Sequence, residues 1–112
     1  MQWQQLTSTE QIDQIKEESK GQPVVIFKHS TTCSISATAK SRLERQWDDV
    51  GLGSIKPYYL DLLNYRPVSN EIAQSFDVRH ESPQLLLIKD GQCHYHGSHL
   101  GINLQEVKKL AS

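Results

Sequence analysis

The two longest purely apolar runs in the chain, residues 24–27 and 85–88, are each only four residues long. Short runs of branched and aromatic apolar residues, bounded by turn-forming residues, predict strands that are buried on both faces. Such strands need helices above and below them, so the chain is predicted to be an α/β protein. The same runs are far too short to span a bilayer, which takes about 20 apolar residues.

Helical and strand-like patterns alternate along the whole chain. Helices are predicted over residues 8–19, 34–49 and 67–77 and from Asn103 onward, and strands over residues 23–29, 55–62, 84–89 and 92–97. The first two strands are joined through a helix and should be parallel, whereas Asp90-Gly91 is typical of a tight hairpin turn. The predicted order is α-β-α-β-α-β-β-α, a small four-stranded mixed sheet with helices on both faces. Pro57 favours an edge position or an irregularity in its strand.

Composition narrows the class of protein further. With 112 residues and no linker or repeat, residues 1–112 are predicted to form one domain. The 12 basic and 13 acidic residues leave a net charge of −1, which favours neither a nucleic acid nor an anionic membrane as a partner. The N-terminus has no signal-peptide pattern, and two cysteines make a poor disulfide framework. We therefore expect a cytoplasmic protein whose thiols stay reduced.

Cys33 lies where the predicted strand 23–29 gives way to the long helix 34–49. The first backbone N–H groups of a helix lack internal partners and carry partial positive charge, which stabilises a thiolate and lowers its pKa. The Lys28 amine would add to this effect if its side chain reaches the loop. Cys33 is therefore predicted to be a nucleophile, and the alternative is a small buried apolar residue. One face of the helix is predicted to be apolar, through Ile35, Ala39, Leu43, Trp47 and Val50.

Ser36 stands three residues after Cys33, where a second cysteine would make a C-x-x-C dithiol. A serine cannot close an internal disulfide, but its hydroxyl can donate a hydrogen bond to the Cys33 sulfur across one helical turn. C-x-x-S at a strand-to-helix junction thus predicts thiol exchange through a mixed disulfide with an external thiol.

A second segment, Ser82-Pro83-Gln84, leads directly into LLLIKDG. Together with the strand, the TxCxxS motif and the helix, it resembles the thioredoxin/glutaredoxin superfamily. The resemblance implies a thioredoxin-like fold in which Pro83 is a cis-proline facing the active cysteine. Within the superfamily, FKHSTTCSIS, YRPVSNEIA, SPQLLLIKDG and HYHGSHLGI resemble the YtxJ-type monothiol bacilliredoxins. Ser34 departs from relatives, which often carry proline at this position.

This resemblance implies removal of bacillithiol, a small bacterial thiol, from protein mixed disulfides. Cys33 would be the nucleophile, and bacillithiol a co-substrate, with no bound metal or organic cofactor. The expected partners are S-bacillithiolated client proteins and, for recycling, bacillithiol or a thiol or flavoprotein reductase. The residues expected to bind the thiol substrate surround the cysteine and the proline: Lys28, Thr31, Thr32, Ser34, Ser36, Ser82 and Pro83.

Other histidine and cysteine residues leave alternatives open. His94 and His96 would share one strand face and could chelate a metal with His99, but a solvated face is favoured. Cys93 is expected to be a buried structural thiol rather than a resolving cysteine, because the hairpin turn lies far from the active site in the resembled fold. Two other functions compete with bacilliredoxin activity: an iron–sulfur carrier with one cysteine per subunit, and a non-catalytic thioredoxin-fold stress adaptor.

Overall fold

A computed structural model describes residues 3–30 and 34–111 of the chain, with a short strand preceding the first helix. The elements in chain order are β1 (Gln4–Gln5), α1 (Glu10–Glu18), β2 (Val24–His29), α2 (Ser34–Val50), β3 (Lys56–Asp61), α3 (Arg66–Ser75), β4 (Gln84–Lys89), β5 (Gln92–Ser98), a 3₁₀ turn (His99–Gly101) and α4 (Leu104–Ala111). The predicted alternation of helices and strands is confirmed, and most predicted boundaries lie within two residues of these.

The strands form one mixed sheet in the order β1-β3-β2-β4-β5. The pairing of β2 with β3 is parallel, as predicted, and β4 runs antiparallel to both β2 and β5. The predicted count of four strands is wrong by one, because β1 pairs with Tyr58 and Tyr59 of β3. A two-residue strand is too short to show an alternating pattern. Pro57 lies just outside this short pairing, so among the described residues no β1 residue is paired with it, a position that proline tolerates.

The sheet separates two apolar layers, because successive side chains of a strand point to opposite faces. On the first face, α1 and α3 cover residues such as Val24, Ile26 and Leu86. On the second face, α2 and α4 cover residues such as Val25 and Phe27. We call these the α1/α3 face and the α2/α4 face. All six residues of the central strand β2 are buried, which confirms that the run at 23–29 is a fully buried strand.

The two-residue hairpin between β4 and β5 is also confirmed. Asp90 and Gly91 have φ angles of 55° and 76°, the left-handed values that such a turn requires. The backbone N–H groups of both residues donate to Ser19 at the end of α1. The turn is therefore held at the end of the sheet where β2 begins, and the opposite end of the sheet, where β2 finishes, precedes α2.

At that opposite end, three strands bring their termini together. His29, the last residue of β2, is paired with Asp61, the last residue of β3. Lys28 is paired with Gln84, the first residue of β4, so the Ser82-Pro83 bond lies beside the end of β2. None of the described helices is long and apolar enough to cross a membrane.

Candidate active site at the start of α2

The predicted nucleophile and the two threonines before it, Thr31, Thr32 and Cys33, lie outside the described residues. The structure describes both flanks: β2 ends at His29 and α2 begins at Ser34, the residue that follows Cys33 in the chain. The prediction that a long helix starts directly after this cysteine is therefore confirmed. Because the first N–H groups of a helix have no intrahelical partner and carry partial positive charge, a thiolate at the position before Ser34 would be stabilised.

Ser36 on the first turn of α2 has no exposed surface. Its Oγ accepts a hydrogen bond from the backbone N–H of Ser30 at 3.0 Å. The same Oγ lies 2.7 Å from Nδ1 of His29. The sequence predicted a hydrogen bond from Ser36 to the sulfur of Cys33, which remains a prediction. The described partners of Ser36 tie the first turn of α2 to the end of β2.

His29 was not singled out from the sequence, because a histidine at the end of a buried strand shows no pattern of its own. The residue is buried on the α2/α4 face. Its ring stacks on Phe27, with centroids 6.0 Å apart, and lies tilted against Tyr59, with centroids 5.6 Å apart. Burial and the nearby Lys40 charge lower the pKa of His29, while Asp61 opposes this shift. The imidazole is therefore mainly neutral at pH 7.

Lys28 points to the other face of the sheet, as strand alternation requires of a neighbour of His29. Its side chain is fully buried, and its amine lies 3.3 Å from Nδ1 of His80 and 3.5 Å from the carbonyl oxygen of Ser69 on α3. Burial lowers the pKa of Lys28 to about 8. The sequence predicted support of the Cys33 thiolate by this amine only if the side chain reaches the loop; the described contacts of the amine lie beneath α3. Substrate contact by Lys28 stays a prediction.

The Ser82-Pro83 peptide bond is cis, as the resemblance implied. Pro83 is buried beside the end of β2. The Oγ of Ser82 is buried and has no hydrogen-bond partner among residues 3–30 and 34–111. Ser82 therefore places a buried hydroxyl close to the end of the strand that leads to Cys33.

The first turn of α2 also exposes apolar and polar surface. Ile35 is 48% exposed, so the prediction that it belongs to the buried helix face is wrong. Ala39, Leu43 and Trp47 of the predicted face are buried, as expected. Ser34 is exposed as well. Ile35 and Ser34 therefore form exposed surface on the first turn of the helix, directly after position 33 in the chain.

Cys93 lies at the far end of the sheet. It is half-buried, its thiol donates to the Tyr95 carbonyl oxygen at 3.2 Å, and burial raises its pKa. Cys93 pairs with Ile88, which pairs with the first residue of β2. The six residues of β2 span about 17 Å, so Cys93 lies about that far from the end of the strand that precedes position 33. This geometry favours a structural thiol over a resolving cysteine.

The burial of β5 alternates from residue to residue as the sequence predicted, but the pairing of the strand with β4 is irregular. A β-bulge interrupts the register between β4 and β5, where Leu87 pairs with Tyr95 and Ile88 with Cys93, and His94 is the extra residue. His94 and His96 are both exposed. Within the described part of the chain, no group of three or more histidine, cysteine or acidic residues is placed to hold a metal ion.

Comparison with known proteins supports the same fold and chemistry. Residues 4–107 match the family profile of the monothiol bacilliredoxin BrxC. A solved structure provisionally described as an oxidoreductase with a thioredoxin fold is 30% identical, with a TM-score of 0.81, and the match covers 96% of this chain and 92% of that one. Thioredoxin from Malassezia sympodialis (Mala s 13) is 18% identical, with a TM-score of 0.77 and coverage of 99% and 92%. Thioredoxin from Fasciola hepatica is 15% identical, with a TM-score of 0.71 and coverage of 95% and 93%.

Proposed function

Because the chain belongs to the monothiol bacilliredoxin family, we propose that it removes bacillithiol from protein mixed disulfides through the thiolate of Cys33. Family membership and the thioredoxin fold make the protein a thiol-disulfide oxidoreductase in the broad sense. The proposal adds the identity of the small thiol, the direction of the reaction and the nucleophile.

The observation that carries the monothiol mechanism is the serine at position 36. Ser36 occupies the place where a dithiol enzyme has its resolving cysteine, and its hydroxyl is held by His29 and Ser30. A hydroxyl cannot form a disulfide, and Cys93 belongs to the opposite end of the sheet. A mixed disulfide on Cys33 must therefore be resolved by a thiol from outside the chain.

The proposed exchange has two balanced steps. The Cys33 thiolate attacks the bacillithiol sulfur of the client mixed disulfide; the client sulfur leaves as a thiolate and takes up a proton from water. Cys33 then carries bacillithiol in a new disulfide. In the second step, the thiolate of another bacillithiol attacks the bacillithiol sulfur, which releases bacillithiol disulfide and restores the Cys33 thiolate. Another thiol or a flavoprotein reductase could replace the second bacillithiol.

We expect the substrate to lie along the edge formed by the start of α2 and the Ser82-Pro83 segment. Ser34 and Ile35 are exposed there, and the buried hydroxyl of Ser82 has no described partner. Thr31 and Thr32 complete the predicted substrate contacts, while Pro83 limits the approach from the β4 side. These roles are proposals that follow from the arrangement of the flanking residues.

The decisive experiment is the intact mass of the reduced protein after mixing with a bacillithiolated client. We expect a gain equal to one bacillithiol on the wild-type protein and none on Cys33→Ala. Cys93→Ser is the matched control and should accept bacillithiol as the wild type does. A glutathionylated client should transfer its adduct slowly. Transfer from neither client would refute the proposed function, and equal transfer from both would refute the assignment of bacillithiol.

A further inference from the structure

The buried hydroxyl of Ser36 has two described hydrogen-bond partners, the backbone N–H of Ser30 and Nδ1 of His29. A serine hydroxyl has one hydrogen to donate and two lone pairs that accept. The N–H of Ser30 fills one lone pair, at 3.0 Å. The contact with Nδ1 of His29, at 2.7 Å, can run in either direction, depending on whether that nitrogen carries a proton.

The two directions leave Ser36 in different states. When Nδ1 of His29 carries a proton, it donates to Oγ, both lone pairs are filled, and the hydroxyl hydrogen is free for a third group. When Nδ1 is bare, it accepts the hydroxyl hydrogen, and Ser36 has nothing left to donate. Since Ser36 has no exposed surface, water does not compete freely for this hydrogen.

We propose that His29 is a positioning residue that switches Ser36 between these two states and so controls whether the hydroxyl can hydrogen-bond to the Cys33 sulfur. This inference rests on the proposed function, since it assigns the switch to the thiolate that performs the exchange. The chain supplies the link: Ser36 follows Cys33 by three residues, and Ser34 already belongs to the helix. A donated hydrogen bond stabilises the thiolate and lowers the pKa of its thiol.

Charged groups from two neighbouring elements act on the imidazole. Lys40 and Glu44 approach from α2, and Asp61 and Tyr59 from β3. Burial and Lys40 disfavour the imidazolium, whereas Asp61, a hydrogen bond to the backbone of Ser36 and Glu44 favour it. The Asp61 carboxylate is the register partner of His29, and its buried Oδ1 has no hydrogen-bond partner among the described residues. Opposing charges therefore act on the imidazole, and the net effect of its surroundings is a lowered pKa.

Replacing His29 with phenylalanine should shift the Cys33 pKa in the direction opposite to the shift expected from a direct charge effect. In His29→Phe, the stacked ring is retained but Nδ1 is gone, so the Ser36 hydrogen is released permanently. We expect the Cys33 pKa to fall by about one unit, a tenfold rise in the acid dissociation constant. A direct effect of the imidazolium charge would instead raise the Cys33 pKa in this variant.

The test measures the Cys33 pKa from the pH dependence of iodoacetamide alkylation, in a Cys93→Ser background so that one thiol reacts. His29→Phe should lower this pKa when Ser36 is present and should leave it unchanged when added to Ser36→Ala. His80→Phe is the matched control, because His80 also contacts a buried serine, Ser69, but on the α1/α3 face. We expect it to leave the Cys33 pKa unchanged.

An unchanged or raised Cys33 pKa in His29→Phe, or an equal shift with and without Ser36, would overturn the proposal. A second measurement needs no substitution at His29. By linkage, the Cys33 thiolate must raise the His29 pKa as much as the imidazolium lowers the Cys33 pKa. NMR titration of the imidazole should therefore detect a lower His29 pKa once Cys33 is alkylated, and no such change in Ser36→Ala. Neither measurement uses bacillithiol, so a failed bacillithiol transfer leaves this test intact.

Discussion

Replacing Lys28 with methionine should stabilise the protein at neutral pH. Burial lowers the pKa of the Lys28 amine from 10.5 to about 8. Each unit of difference between the folded and unfolded pKa corresponds to 1.36 kcal/mol, so the buried ammonium costs about 3 kcal/mol below pH 8. Methionine has a side chain of similar length and no charge, and it removes this cost.

The direction in which the free energy of unfolding changes with pH follows from proton binding by Lys28 in the folded and unfolded states. Between pH 8 and 10.5 the unfolded chain holds the Lys28 proton and the folded chain does not, so the wild-type free energy of unfolding rises with pH in this window. Above pH 10.5 the amine is neutral in both states and costs nothing. The advantage of Lys28→Met over the wild type should therefore be largest at pH 7 and should shrink by about 2 to 3 kcal/mol at pH 10.

Urea unfolding under reducing conditions, followed through the fluorescence of the buried Trp47, measures this difference. Taking the difference between variant and wild type at each pH cancels the titration of other groups. Lys20→Met is the matched control, because Lys20 forms an exposed ion pair with Glu17. Its free energy of unfolding should stay within about 0.5 kcal/mol of the wild-type value at pH 7 and at pH 10. A Lys28→Met difference that does not change between pH 7 and pH 10 would refute the argument.

Two further predictions concern stability alone. Hydrogen bonds from Lys56 and Tyr58 lower the pKa of Glu18 against the opposing effect of burial, so the contribution of this carboxylate is present above pH 4.5 and lost as pH falls through its folded pKa. We expect Glu18→Gln to cost about 1 kcal/mol in urea unfolding at pH 7 and less at pH 3; an equal cost at both values would contradict this. Leu86→Ala removes a fully buried side chain and should cost about 2–5 kcal/mol, whereas Ile35→Ala at an exposed position should change the free energy of unfolding by less than about 0.5 kcal/mol. Similar losses of unfolding free energy in Leu86→Ala and Ile35→Ala would contradict the burial of the first side chain and the exposure of the second.

Local patterns predicted most of the architecture. The central strand, the helix after Cys33 and the Asp90-Gly91 hairpin depend on periodicity and turn chemistry within short windows, and the structure confirms each of them. The cis bond at Pro83 came from family resemblance and not from periodicity. The strand β1 escaped prediction because two residues carry no period, and its pairing is decided by β3, more than fifty residues away.

The candidate site was only partly predictable. Sequence spacing predicted Cys33 as the nucleophile and Ser36 as its neighbour, from their places before and within a helix; the structure confirms the start of that helix. It did not find His29, whose partner Ser36 lies seven residues away across a strand-to-helix junction. It left open whether the Lys28 amine reaches the cysteine loop, and the alternation of β2 directs the described contacts of this amine beneath α3.

What the sequence determined by itself is the kind of chemistry: a single thiol before a helix, a serine where a second thiol would stand, and short buried strands that require helices on both faces. Only the tertiary structure decided which polar groups act together. His29 and Lys28 are neighbours in the chain, yet the pleat of β2 separates them onto opposite faces of the sheet. His29 consequently contacts Ser36, and Lys28 contacts His80. Side-chain direction and long-range packing, rather than distance along the chain, determine these contacts.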